Sequence, residues 1–208
     1  MMTKVAVVDD HAIFRKGVIN VLAKNKNIKI TLEANNGKEF IDLLSDNALP
    51  DVLLLDIQMP VMNGFETLDY IHLHYPQVKV VMISMIHDQI TVNNLLQKGA
   101  SGFIAKNAEP EAIMDVVEKF GKNNETDKIV VSDQNRTTGY NDYAPVLTDR
   151  EYELLKYSST GFTYEQIARI MDISPKALDH HRISLFRKLN VQSRQELASI
   201  AVRMGLSD

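Results

Sequence analysis

Five side chains in the first half of the chain have types that could do chemistry together: Asp9, Asp10, Asp56, Ser84 and Lys106. Each falls at the carboxyl end of a short apolar run. Three carboxylates gathered at one edge repel one another and require a cation or protons. The sequence has no cysteine, so thiolate zinc sites, disulfides and cysteine nucleophiles are excluded. An all-oxygen donor set suits Mg²⁺ better than zinc. A hydroxyl and an ammonium on the neighbouring strands can hold an anion. The set is complete for phosphoryl transfer to a carboxylate, with Asp56 as nucleophile and with Ser84 and Lys106 binding phosphate oxygens.

The elements that must position these residues alternate. Strands are expected over 4–8, 28–34, 51–55, 78–83 and 102–105, where short β-branched or apolar runs occur. Between them, Ile13, Val18, Val21 and Leu22, then Phe40, Ile41, Leu43 and Leu44, then Phe65, Leu68 and Ile71 recur at helical spacing. Pro76 stops the third helix. Residues 88–98 form a fourth, closed by Gly99, and residues 109–120 a fifth. Five β/α units with strands apolar on both faces predict an α/β doubly wound, five-stranded parallel sheet. Ligands of such sheets bind beyond the strand carboxyl ends, which is where the five polar residues stand.

Residues 121–145 are dominated by Asn, Asp, Thr and Gly and read as a tether, with Ile129-Val130-Val131 counted as linker. From Leu147 the pattern is purely helical. Thr148 with Glu151, Thr163 with Gln166, and Ser193 with Glu196 have capping-box spacing. Ser174 caps a further helix with Pro175 at its first position. Leu178, Leu185 and Leu189 form the buried stripe of that helix. Two helices joined by a tight turn, the second of them basic, suggest a helix-turn-helix within an all-α four-helix domain.

Charge separates the halves. Residues 1–121 hold 11 basic and 15 acidic side chains, whereas residues 174–208 hold 6 basic and 3 acidic. Two modules with different partners are implied: one over 1–121, a linker over 122–145 and a second module over 146–208. No apolar run approaches the ~20 residues of a membrane span, and Met1 to Val5 lack the shape of a signal peptide. No membrane role and a cytoplasmic location are the expectations.

Val7-Val8-Asp9-Asp10-His11, Leu54-Leu55-Asp56-Ile57-Gln58-Met59-Pro60 through Gly64, Ile83-Ser84-Met85, and Gly99 through Lys106 resemble the receiver domain of bacterial two-component response regulators. The resemblance implies phosphorylation of Asp56 by a histidine kinase. It further implies Mg²⁺ held by Asp10, Asp56 and the main-chain carbonyl of Gln58, with Asp9 acting largely through water. Phe103 would be the aromatic that turns inward with Ser84 on activation. Departures from the family pattern are Ile86, where an acidic or polar residue is common, and Asn107, where proline is common. Gln58 and Ile86 line the route of the hydrolytic water in the family, so an apolar Ile86 bears on phosphate lifetime.

Leu147-Thr148-Asp149-Arg150-Glu151, Gly161 through Ala168, Ser174 through Leu178, and Arg187-Lys188-Leu189 resemble the output domain of NarL/FixJ (LuxR-type) transcription factors. That resemblance places helix 174–189 in a DNA major groove. Lys176, Asp179, His180, Arg182, Ile183, Arg187 and Lys188 are the candidate contact positions, while His181 lies on the Leu178/Leu185 side. It also makes helix 193–205, with Leu197, Ile200, Ala201 and Met204, part of a surface for homodimer formation on phosphorylation. Gln166 and Ala177 replace the usual Glu and Thr. Asp179 and Ile183 stand where basic or polar residues are common. The expected function is a phosphorylation-switched transcription regulator that is not a metabolic enzyme. One competing reading keeps the receiver but gives the helices a protein-interaction output without DNA binding. A second is an Mg²⁺-dependent phosphatase, against which the absence of a substrate-specificity insert argues.

Overall fold

The computed structural model describes residues 2–44, 48–85, 89–121, 128–131, 147–204 and 206. Most of the linker and Ile86 therefore lie outside the described residues. The chain divides into two compact units, residues 1–88 with 95–141, and residues 89–94 with 142–208.

Up to Gly121 the chain alternates strands and helices: β1 (Thr3–Val8), α1 (Ala12–Leu22), β2 (Ile28–Ala34), α2 (Gly37–Leu44), β3 (Val52–Asp56), α3 (Gly64–His74), β4 (Lys79–Ser84), α4 (Gln89–Gln97), β5 (Gly102–Ala105) and α5 (Pro110–Gly121). A further strand, β6 (Ile129–Val131), follows. The sheet is parallel throughout, in the order β2-β1-β3-β4-β5-β6. It thus has six strands rather than five. Ile129-Val130-Val131 is not linker: it pairs with Gly102, Phe103 and Ile104, and all three of its side chains are buried. Ile129 and Val131 join a core with Ile113, Val116, Val117 and Phe120 of α5. Burial of those two side chains repays the ordering of three residues, which local pattern alone could not reveal.

Strand β3 is buried along its whole length, as its unbroken Val-Leu-Leu-Leu run requires when helices cover both faces. One face carries Val5, Val7, Val52, Leu54, Val81 and Ile83 against Val18 and Leu22 of α1 and the apolar side of α5. The strand order reverses direction between β1 and β3, which opens the crevice at their carboxyl ends. Helix α3 begins hard against that crevice. A Cβ on Gly64 would stand 2.2 Å from the Asp56 carbonyl oxygen, so only glycine lets the helix start there. Asn63 and Glu66 close a capping box on the same turn.

The second unit contains α6 (Asp149–Ser158), α7 (Tyr164–Ile170), α8 (Pro175–Leu189) and α9 (Arg194–Arg203). Each helix starts at a side-chain cap: Thr148, Thr163, Ser174 and Ser193. The turn between α7 and α8 is made by Asp172 at φ +50°. Helix α8 ends with Asn190 at φ +52°, a left-handed cap. The Arg194 guanidinium donates to the carbonyls of Ser158 and Thr160, capping the end of α6.

A buried charge ties α6 to α8. Glu151 is 2 % exposed, and its Oε2 accepts from Lys188 Nζ at 2.6 Å and from the Thr148 N–H at 2.7 Å. Burial alone would push this carboxyl up. Hydrogen bonds from Lys188, Ser184 and Thr148 outweigh that and hold it at about 2, below its ordinary 4.5. A depressed carboxylate contributes stability that is present above its unfolded value and is lost as pH falls through the folded one. The second unit should therefore lose up to about 2–3 kcal/mol between pH ~4.5 and ~2. Urea unfolding of the full chain, followed by the amide resonances of α8, should show this loss. In Glu151→Gln the loss over that window should be absent, and Lys188→Met should cost about 3–5 kcal/mol at neutral pH by stranding a buried charge.

Candidate functional site

The sheet register aligns the site. Val8 pairs with Leu55, Asp56 with Ile83, and Ser84 with Ala105. Asp9 and Asp56 are thereby neighbours, and Lys106 follows one residue beyond the β5 partner of Ser84. Asp9, Asp56 and Ser84 are buried, whereas Asp10 is exposed. The Lys106 ammonium lies 2.8 Å from Asp9 Oδ2 and 2.8 Å from Asp56 Oδ2. The main-chain N–H of Lys106 donates to the Ser84 carbonyl at 2.9 Å. The Ile57 N–H holds the other Asp56 oxygen at 2.7 Å.

Burial raises the Asp56 carboxyl from 3.8 to about 6, with Lys106 pulling it down and the Asp9 charge pushing it up. For Lys106, burial disfavours the ammonium. Hydrogen bonds and charges from Asp56 and Asp9 more than compensate, and its pKa is raised. Two carboxylates share one cation, with a third carboxylate, Asp10, beside them. The pocket is short of positive charge.

Three residues join this site that sequence reasoning missed. His11 Nδ1 lies 2.8 Å from Asp10 Oδ1, and the His11 N–H donates to Asp9 Oδ1 at 2.8 Å. The Phe14 ring centroid lies 4.9 Å from Lys106 Nζ, a cation–π contact. Arg15 donates to the Asp9 carbonyl. His11 adjoins the aspartates in sequence and was legible as a neighbour. Phe14 and Arg15 lie one helical turn further on and carry no separate signal.

The fit to a divalent cation follows from the donor set. One ligand atom from each of Asp9, Asp10, His11 and Asp56 lies within 4.8 Å of the others. The three carboxylates supply hard oxygen donors and an unbalanced negative charge, which suit a hard divalent cation such as Mg²⁺, and His11 adds a nitrogen beside them. Gln58 stands exposed in the loop two residues after Asp56. The same loop contains a γ-turn, in which the Met62 N–H donates to the Pro60 carbonyl at 2.8 Å across Val61 at φ +69°. A β-branched residue there is strained. Phe103 is fully buried on β5, on the Ser84 side of the sheet edge.

In the second unit the structure divides the candidate DNA contacts. Lys176, Asp179, His180, Ile183 and Arg187 are exposed, while Arg182 and His181 are half-buried. Lys188 is engaged by Glu151 between helices and does not belong to the outer row. Leu197, Ala201 and Met204 have 0 % exposure, so they are core of their own domain rather than a surface. A ten-residue helix spends its apolar stripe on α6 and keeps little over for a partner. Ile200 is half-buried, and Val202 is the exposed apolar residue of α9.

The sequence matches the family described as response regulator receiver domain over residues 5–118, and that described as bacterial regulatory proteins, luxR family, over residues 145–201. It is similar to the nitrate/nitrite response regulator protein NarL of Escherichia coli strain K12, at 30 % identity over 93 % of this chain and 92 % of that protein. The transcriptional regulatory protein DegU of Brevibacillus brevis is 27 % identical over 97 % of this chain and 94 % of its own. RcsB from Salmonella enterica serovar Typhimurium, solved bound to promoter rprA with the phosphomimetic BeF3−, has the same fold. Its TM-score is 0.65 at 20 % identity, covering 99 % of this chain and 98 % of that one. Fold and site together define a two-part signalling regulator, with a receiver domain ahead of a helix-turn-helix domain. The chain belongs to the NarL/FixJ family of two-component response regulators.

A raised carboxylate contributes stability fully present below its unfolded value and lost as pH rises through the folded one. For Asp56 that window runs from about 3.8 to about 6. In EDTA at pH 8, Asp56→Asn should melt above the parent by several degrees, a gain of at most about 2–3 kcal/mol. The gap should close by pH 4. Calorimetric melting of both proteins across pH 4–8 checks this, and a parent that melts equal to or above Asp56→Asn at pH 8 would overturn it.

Proposed function

We propose that this response regulator accepts a phosphoryl group on Asp56 from a histidine kinase and thereby switches a DNA-binding output that controls transcription. The observation that carries the reading is the Lys106 ammonium bridging Asp9 and Asp56 at the strand ends. In this reading the receiver covers 1–121 together with β6 (Ile129–Val131), and the output covers 146–208. A cytoplasmic location goes with it, supported by the lack, among the described residues, of any helix long and apolar enough to cross a membrane.

In the transfer, an Asp56 carboxylate oxygen attacks phosphorus, the P–N bond to the kinase histidine breaks, and the imidazole leaves. Asp10, Asp56 and the Gln58 carbonyl would hold Mg²⁺, with Asp9 acting through water. When bound, the metal neutralises charge on the transferring phosphoryl oxygens. Lys106 exchanges part of its carboxylate pairing for a phosphate oxygen, and the Ser84 hydroxyl donates to another. Phe103 is the aromatic paired with Ser84 in this reading, and its ring is already fully buried on β5. Self-catalysed acceptance and hydrolysis of the phosphoryl group is the only catalysis in this reading. Homodimer formation on phosphorylation is part of it as well, with Ile200 and Val202 as the outward apolar residues of α9.

Incubation of the full chain with acetyl phosphate should add one phosphoryl mass, and EDTA or Asp56→Asn should abolish the gain. Lys106→Ala and Ser84→Ala should still take up phosphate but lose most of the phosphorylation-dependent shift to dimer seen by analytical ultracentrifugation. Uptake by Asp56→Asn equal to the parent would overturn the site. If Z side chains of α8 and its flanks pair with phosphates, log affinity for duplex DNA should fall with log salt at a slope near −0.9Z. Lys176→Ala or Arg187→Ala should each reduce that slope by roughly one.

A further inference from the structure

The outer face of α8 is read by spacing. Lys176, His180, Ile183 and Arg187 follow one another at four, three and four residues, which places them in one row. Leu178, Leu185 and Leu189 are buried on the opposite side. Within this polar row Ile183 is 62 % exposed. Exposed cations, Lys176 and Arg187, stand one to two turns to either side of it.

Asp179 does not stand as an isolated negative charge beside this row. Its Oδ1 accepts from Arg182 Nη2 at 3.0 Å. The Arg182 guanidinium in turn lies 5.0 Å from the centroid of the Tyr164 ring on α7, which also receives Arg194 at 5.1 Å. The pair is anchored at the flank of the helix, and the Asp179 charge is offset locally. What remains at the centre of the row is a side chain with no hydrogen-bonding atom.

We infer that Ile183 reads the C5-methyl group of a thymine in the major groove. The inference rests on the DNA-binding reading above and specifies what that surface selects. An isoleucine cannot distinguish bases by donors and acceptors. The thymine methyl is the apolar feature that the major-groove edge of a base pair presents. Cations on both sides of Ile183 complement the phosphate rows flanking a groove, which favours a duplex over an apolar protein surface as its occupant. Removing the methyl exposes about one methyl group's worth of apolar surface. The expected penalty is roughly fourfold in affinity, corresponding to ~0.8 kcal/mol.

The test uses the full chain phosphorylated with acetyl phosphate and Mg²⁺. A binding site is first selected from random duplexes at low salt, then each thymine of that site is replaced singly by deoxyuridine. In the parent protein, one thymine per half-site should lose about fourfold on replacement. In Ile183→Ala the same replacement should have no effect, while Ile183→Val should retain most of it. The salt slope of Ile183→Ala should equal that of the parent, because no charge has been removed. A deoxyuridine penalty that is the same in parent and Ile183→Ala, or no thymine that responds at all, overturns the thymine reading and leaves DNA binding standing. Recovery of no duplex at low salt overturns both, and a protein-binding role for the exposed isoleucine then takes their place.

Discussion

Two buried carboxylates share one ammonium, and the architecture of the first unit serves that arrangement. Asp9 and Asp56 can both sit on Lys106 because three parallel strands end in step, and the register that aligns them is set by apolar runs far from any charge. A slip of one residue on β3 would turn Asp56 to the opposite face and place Leu55 at the crevice. The pairing also leaves negative charge over. Burial makes that excess costly, and the raised Asp56 carboxyl is its direct expression. A site in this condition favours an incoming cation and gives Lys106 a reason to move when an anion arrives. Gly64 and the strained turn at Val61 are the backbone cost of bringing α3 close enough to wall the crevice.

The second unit solves a different problem. Its helices are seven to fifteen residues long, lengths that are marginal alone. Caps at all four starts, an arginine across the end of α6 and the Glu151–Lys188 pair define where each helix begins and how α8 is held. Rigidity of α8 matters because side chains that read a groove must be presented at fixed spacing. The Asp179–Arg182–Tyr164 arrangement extends that logic to the surface, where an acidic residue at a position commonly basic or polar is paired within its own helix.

Much of this was legible in the sequence for identifiable reasons. The strand ends were readable because unbroken apolar runs stop at Asp9, Asp56, Ser84 and Lys106, so composition changes where function begins. Helix starts were readable because Thr148, Thr163 and Ser174 each carry the local capping chemistry. Strand β6 was not, since three β-branched or apolar residues between Asp, Asn and Thr have no period and owe their burial to α5. The stripe of α9 was assigned to a partner because a helical stripe has the same pattern whether it meets a neighbour in its own chain or in another. Lys188 belongs with the candidate DNA contacts by its place on a basic helix that resembles a recognition helix, and only its approach to Glu151 reassigns it. Phe14 behind Lys106 carried no signal, because an aromatic on a helix is ordinary core until its neighbour is seen.

The extra strand has a consequence for how the sheet meets its surroundings. An open parallel sheet presents two edges of unpaired backbone groups, and here they belong to β2 and β6. With β6 in place, the row of donors and acceptors on the buried and strongly apolar β5 is satisfied from within the chain. Among the described residues the edge on that side is three residues long, against seven for β2 at the other, and is too short to template an extended ladder with another molecule. The segment that leads out of the sheet thus also blunts it against self-association through its backbone.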